Sequence, residues 1–380
     1  MRSFDVAIIG GGLIGGSIAF ELSTENLRVV ILDRQEPGRE ASWAAAGMLS
    51  PGPDSPRDLP LVPLMKESLR IYPEFVGRVE DRSGQLVDFV RDGTLQILLA
   101  PRGEFERDAL SEEYSRLELP FEPLSLDAAR HLEPCLGPNA GAAAFLPHEA
   151  TVDPRSLTRA VMAAAQRGGV EIRAGSTVTS LMRERDRCTG VVAANETITA
   201  RHVIVAAGCF SADVAPSETW FAPWVPTRPV RGQMVALRLK GIAPRHVLRS
   251  ERSYIVPRRG GRAVAGSTLE DAGFDKQVTL AGMQQILRAT LDLAPALADA
   301  EILETWAGLR PGTPDDLPIL GPTSIEGLLI ATGHFRNGIL LAPATARLLR
   351  EWITIGRTSF DAEIFSPLRF AREKLRAGAH

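Results

Sequence analysis

Cysteine is scarce in this chain. Cys135, Cys188 and Cys209 are the only three in 380 residues, and none stands in C-x-x-C spacing. That argues against a disulfide framework or a zinc site and fits a reducing cytoplasm. Long apolar runs are missing too: no stretch approaches the roughly 18 uninterrupted apolar residues of a membrane span. Nor is there an excess of one charge, and a net charge of −3 gives no electrostatic case for a nucleic-acid surface. The six histidines form no H-E-x-x-H or related metal spacing. No serine sits in a G-x-S-x-G elbow, and no internal repeat is evident. The start MRSFDVAIIGGG runs straight into a strand, so no removable leader is expected ahead of the fold. What remains, 44% hydrophobic and 23% charged residues, is ordinary for a globular protein long enough for two domains.

The informative stretch is FDVAIIGGGLIGGSIAFELSTENLRVVILDR, from Phe4 to Arg34. An apolar run enters a glycine cluster, a helical stretch follows, a second apolar run comes next, and Asp33 closes it. The pattern is a βαβ unit that holds a dinucleotide. Gly10 allows the sharp strand-to-helix turn, Gly12 lets backbone approach a pyrophosphate, and Gly15 lets the helix lie close on the sheet. Asp33, 18 residues after Gly15, is placed for the ribose hydroxyls. The unit alone does not distinguish FAD from NAD.

Further along, Ala44-Ala45-Ala46-Gly47 is small enough to lie flat against a ligand or to form a plain helical turn. Helical periodicity covers Leu61 to Val79, strand-like alternation Leu86 to Leu99, and dense mixed charge from Glu104 to Glu133 reads as a solvated helical surface. Asp153 caps a helix with Pro154 at its first position. Short strands follow, and HVIVAAGCF makes a buried strand that brings Gly208 to the nucleotide. Strands at 225–239, 254–256 and 262–266 build a mostly antiparallel sheet, and Leu280 to Leu293 is a helix.

The expected class is α/β, an α+β two-domain chain. A discontinuous Rossmann-like nucleotide domain takes 1–84, 150–215 and 305–368, and a substrate domain takes 85–149 and 216–304. Residues 369–380 form a tail. Gly333 to Gly338 feeds a helix from about Ile339, whose positive end suits an anionic ring edge, although a plain strand-loop-helix connection reads equally from the residues. Arg310 lies in GLRPGTPDD, a loop stiffened by Pro311, Gly312 and Pro314. A guanidinium held there can grip a carboxylate through two parallel bonds; the alternative is a surface charge paired with Asp315 or Asp316. Tyr254 could supply a phenol to the same carboxylate or simply pack in the sheet.

These motifs together resemble the D-amino-acid oxidase family of FAD-dependent amine oxidases, in its glycine oxidase (ThiO) branch. The resemblance spans nearly the whole chain through GGGLIGGSIAFEL with ILDR, EASWAAAGMLSP, HVIVAAG, YIVPR followed by GST, WAGLRPGTPDDLPILGP and GHFRNGILLAPATA. It implies non-covalent FAD, since no cysteine follows Cys209 to tether a flavin in the C-terminal part. Leu13, Ile14, Asp33 and Arg34 would meet the ADP part. Ala41, Ser42, Ala46, Gly47 and Met48 would line the cofactor and flavin edge, and Val178 the adenine side. His334, Phe335, Arg336, Asn337, Gly338, Ile339 and Leu340 would wrap the pyrimidine end. Arg310 resembles the family's carboxylate-binding arginine, Tyr254 its helper, and Arg336 the arginine beside the flavin. Two positions depart: Leu269 replaces a methionine after G-x-T, and Arg252 stands where a histidine is expected before Tyr254. Both join Met48 as pocket-adjacent residues.

The implied reaction is oxidation of glycine, sarcosine or a small D-amino acid to imine and then oxo acid, with oxygen becoming hydrogen peroxide. The imine can feed thiazole assembly for thiamine. The alternatives are a sarcosine oxidase, a D-amino-acid dehydrogenase that makes no peroxide, or a non-catalytic nucleotide-binding protein. The expected partners are a small amino acid and oxygen, with no nucleic acid and no membrane span; a homo-oligomer is allowed.

Overall fold

The computed structural model describes residues 2–218, 220–221 and 224–370; the expected tail lies, from residue 371 on, outside the described residues. The first apolar run forms the strand Arg2–Ile9, the helix Leu13–Leu22 follows the glycine turn, and Val29–Leu32 returns parallel to the first strand. Glu196–Val205 pairs in parallel on the other side of the first strand, and Leu328–Thr332 pairs in parallel with its end. Glu171–Arg173 adds beyond Val29–Leu32. The meander Val178–Glu184, Arg187–Ala193 and Glu196–Val205 extends this first sheet.

Alternation sends Val6, Ile8, Val29 and Ile31 to one face and Ala7, Ile9, Val30 and Leu32 to the other. A parallel sheet covered on both faces requires such unbroken apolar runs. The first face is covered by the helices Leu13–Leu22, Val62–Ser83, Pro154–Arg167 and Gly338–Thr354. As expected, Asp153 caps the third of these, accepting from the N–H groups of Arg155 and Ser156 at 2.8 and 3.0 Å.

The second sheet runs Glu301–Gly312, Arg228–Arg238, Arg262–Gly266, Tyr254–Arg258, Val247–Arg249, Thr94–Leu99, Ala140–Leu146, Glu122–Leu124. Its pairings are antiparallel except for Val247–Arg249 on Thr94–Leu99. One face packs Leu95, Val235, Leu248, Ile255 and Ala265 on the helix Leu280–Leu293. The other carries Met234, Tyr254, Arg249 and Gln96 in one row, because Met234 and Tyr254 both oppose Gly266, and Arg249 opposes both Tyr254 and Gln96.

The stretch 104–133 forms the helices Gly103–Arg116 and Leu126–Leu132 with a short strand between them. Arg310 does not sit in a loop. It lies in the strand Glu301–Gly312, opposite Val230. This strand is at the sheet edge, where Pro311 can lack an N–H without breaking a ladder, so the prolines misled the local reading. The division expected between 304 and 305 cuts this strand, and residues 305–312 belong by pairing to the second sheet.

The helix Gly338–Thr354, which begins beside the cavity described below, is tied to Val62–Ser83 by three buried bonds, one of them from the Ala344 N–H to Ser68 Oγ at 3.3 Å. Ser68 Oγ donates to the Leu340 carbonyl at 2.6 Å, and the Tyr72 hydroxyl donates to that of Ile339 at 3.1 Å. Ser68→Ala and Tyr72→Phe should each lower unfolding free energy by about 1 kcal/mol in urea titrations. No change in either variant would mean that apolar contact alone holds this helix.

Candidate active site

A cavity of about 770 Å³ lies between the carboxyl ends of the first sheet's strands and the near face of the second sheet. Open α/β sheets bind ligands at this end of the strands. On the nucleotide side Gly10 has φ +108°, and a Cβ there would collide with the Ala206 carbonyl. Gly12 differs: a Cβ would meet only Ser42 Oγ, at 3.4 Å, so packing within the protein does not demand glycine. A pyrophosphate against that backbone does. Gly12 also precedes the helix Leu13–Leu22, where the Leu13 N–H donates to Ser42 Oγ at 2.9 Å.

Asp33 accepts from the Gly11 N–H at 2.7 Å and the Gln35 N–H at 3.0 Å, and its remaining lone pairs can take ribose hydroxyls. Burial raises its pKa, against those two backbone bonds. Arg34 lies 3.6 Å over the Phe210 ring and pairs with Glu40 at 2.8 Å. The cradle therefore fits a dinucleotide. Ala41, Ser42, Ala46, Gly47, Met48, Val178, Gly208 and the loop from His334 to Ile339 also line the cavity. Gly15 packs under the Gly10 carbonyl, where a Cβ would collide, so it serves the close helix packing expected of it and does not line the cavity; Leu340, expected at the pyrimidine end, is buried in the helix-side core. His334 is buried with Nε2 at 3.0 Å from Thr345 Oγ1, and burial pushes its pKa down to about 3.

Arg310, Tyr254, Arg336, Arg252 and Leu269 line the same cavity. Arg310 Nη2 donates to Ser267 Oγ at 2.7 Å, and Nη1 to the carbonyls of Thr268 at 3.2 Å and Arg231 at 3.4 Å. All three partners are neutral. Asp315 pairs instead with Arg369, and Asp316 with Arg57, so neither is its partner. Among the described residues no carboxylate lies within ion-pair distance of Arg310. Burial lowers its pKa while the Tyr254 phenol beside it acts in the opposite sense. A guanidinium stays protonated throughout, so the cavity holds a cation short of an anion.

Arg336 does have an anion, Asp54 at 3.0 Å. Leu269 and Arg252 stand exposed at the rim, and Arg252 pairs with Glu251 at 3.1 Å. Sequence reasoning missed Arg249, which is paired with Glu149 at 3.1 Å and bonded to Gln96 and Ser50 at 2.6 and 2.7 Å. Burial is the largest influence and works against its charge, but Glu149, Tyr114 and Asp54 together more than offset it, and its pKa ends above the ordinary value. A charged residue directly after the apolar Val247-Leu248 was the one local signal.

A glycine-lined dinucleotide cradle thus faces a cation with no carboxylate partner across one cavity. The chain belongs to the family described as FAD dependent oxidoreductase (DAO), which matches residues 5–352. Its cofactor is FAD.

The chain is 37% identical to the bifunctional protein ThiO/ThiG of Trichormus variabilis over 97% of its own length and 55% of that protein, so it spans about half of this relative. It is 32% identical to the glycine oxidase of Pseudomonas putida, covering 96% of this chain and 98% of that one. The crystal structure of glycine oxidase from Geobacillus kaustophilus superposes with a TM-score of 0.91 at 29% identity, over 96% and 98% of the two chains. Among the described residues no helix is long and apolar enough to cross a membrane, and no group of side chains could hold a metal ion.

Three outcomes follow from this geometry. Gly12→Val should yield colourless protein, because its side chain fills the pyrophosphate's place; full FAD content in that variant would move the cofactor elsewhere. Gly232→Val should weaken binding of small carboxylates in this cavity with FAD content unchanged, since a Cβ there collides with the Arg310 guanidinium. His334 binds protons more weakly folded, at about 3, than unfolded, at about 6.5, so its contribution to stability is present above pH 6.5 and lost as pH falls towards 3. His334→Asn should flatten the acid limb of a stability–pH curve.

Proposed function

We propose that this protein oxidises the amine of glycine or a similarly small amino acid to the imine, which hydrolyses to the oxo acid and ammonia. The observation that carries this reading is the unmatched Arg310 guanidinium, with Tyr254 beside it, in the same cavity as the dinucleotide cradle. Arg310 and Tyr254 hold the substrate carboxylate, so one fixed end orients the Cα–H for reaction. FAD, held by the turn at Gly10 and Gly12 and by Asp33, would supply the two-electron acceptor there, with oxygen as the final oxidant.

The amine supplies its own lone pair, so no strong side-chain base is needed. His334, buried and neutral against Thr345, is unsuited to that task. None of the three cysteines lines the cavity, in keeping with non-covalent FAD. The net reaction is glycine, water and oxygen to glyoxylate, ammonia and hydrogen peroxide. The imine formed before hydrolysis is the unit that thiazole assembly for thiamine would consume, as the ThiO naming of relatives suggests. The division into a nucleotide-binding and a substrate-binding part and a cytoplasmic location belong to the same proposal.

Yellow holoenzyme should lose its colour with glycine under anaerobic conditions and release peroxide when air is admitted. Bleaching without peroxide would make it a dehydrogenase. Arg310→Ala should raise the KM for glycine by the equivalent of about 2 to 5 kcal/mol, because the carboxylate loses its charge-assisted partner. An unchanged KM would remove Arg310 from the site.

A further inference from the structure

The cavity continues past Tyr254 into space that glycine leaves empty. Tyr254, Arg249 and Gln96 are successive neighbours in register across the second sheet. Gln96 therefore lies two strand spacings, about 10 Å, from Tyr254. Leu98 follows two residues along the same strand and lines the same cavity. Opposite it, the helix Gly103–Arg116 turns Glu106, Leu110 and Tyr114 inward at successive four-residue steps.

The polar part of this extension is already satisfied. Arg249 is bonded to Gln96, Ser50 and Glu149, and Ser50 Oγ also bonds Glu149. The group is neutral as a whole and does not call for an anion. One carboxylate disfavours it: Glu106 at the end, whose partner Arg102 is 3.7 Å away. The remaining wall, Leu98 and Leu110, is apolar.

Building on the amino-acid oxidase reading, we propose that this extension is a substituent pocket. The site takes an amino acid whose Cα or amine nitrogen carries an unbranched apolar chain of about six atoms, laid across the Arg249–Gln96 row with its end against Leu98 and Leu110. The chain is bound and does not react, so the bonds made and broken at the amine are unchanged.

The test is anaerobic flavin reduction in purified holoenzyme with glycine, sarcosine, D-alanine, N-hexylglycine and D-2-aminooctanoate. One hexyl substrate is expected to show a KM about tenfold or more below its methyl counterpart. Which one does so tells whether nitrogen or Cα carries the chain. A terminal carboxylate on that chain should abolish the gain. Leu110→Trp should raise the KM of the extended substrate about tenfold and leave glycine unchanged, with Leu98→Phe as the substitute variant if the first loses FAD.

Reduction by glycine or sarcosine but by neither hexyl compound overturns the pocket and spares the oxidase reading. A Leu110→Trp variant that slows every substrate in proportion also overturns it, because the space is then a passage. A flavin that no amino acid reduces overturns the oxidase reading itself.

Discussion

A buried guanidinium loses its water, and a protein usually offsets that loss with a carboxylate. Arg249 follows the rule, with Glu149 at 3.1 Å. Arg310 does not: a hydroxyl and two carbonyls hold it, and the bare backbone of Gly232 leaves it room to lie across the neighbouring strand. Neutral oxygens orient a cation without neutralising it. The cavity thus holds one cation whose ion pair the fold has left half made, and in the proposed function an incoming carboxylate would complete it. The proposed chemistry depends on this asymmetry, because a substrate fixed at one end presents its other end in one orientation.

Orientation is useful only if the cation stands at a fixed distance from the cradle, and the two come from different sheets. The segment from Ala41 to Met48 joins them. It lines the cavity beside the glycine turn, yet its carbonyls are bonded to the second sheet: the Trp306 indole donates to Ala44 at 3.1 Å, and Arg258 donates to Ala46. Arg155 sits 3.5 Å over Trp43 and 4.8 Å over Trp306 and pairs with Glu304 at 2.9 Å, clamping the same junction. The small side chains of Ala44-Ala45-Ala46-Gly47 let the backbone pass between sheet and cofactor side. A Cβ on Gly308 would already collide with Ala44.

What could be read in advance follows the range of the interactions involved. The βαβ unit is contiguous, so its glycines, its helix start and Asp33 were legible in order along the chain. The cap at Asp153 and the helix from Leu280 to Leu293 were legible for the same reason. Arg310 was recognised as a residue but misplaced in a loop, because Pro311 and Gly312 are local signals while the edge position that tolerates them is a property of the whole sheet. The charged stretch near Glu104 was read as solvated surface. Its outer face is, but its inner face, with Leu110 and Tyr114, borders the cavity. The Arg249–Glu149 pair joins residues 100 positions apart and left almost no trace in the sequence.

This contrast separates two kinds of information in the chain. The cradle is specified by backbone requirements, a turn at Gly10 and a close approach at Gly12, for which few substitutes exist. Relatives about one third identical therefore suffice to establish family and cofactor. The wall beyond Tyr254 is specified by side chains from separate strands, a loop and a helix, and exchanging Leu98 or Leu110 for another apolar residue would leave the sheet register intact. Substrate size can change there without disturbing the cation or the cradle. The cradle and the wall are accordingly encoded by different residues, and similarity that establishes family and cofactor leaves the identity of the substrate to be argued from the wall itself.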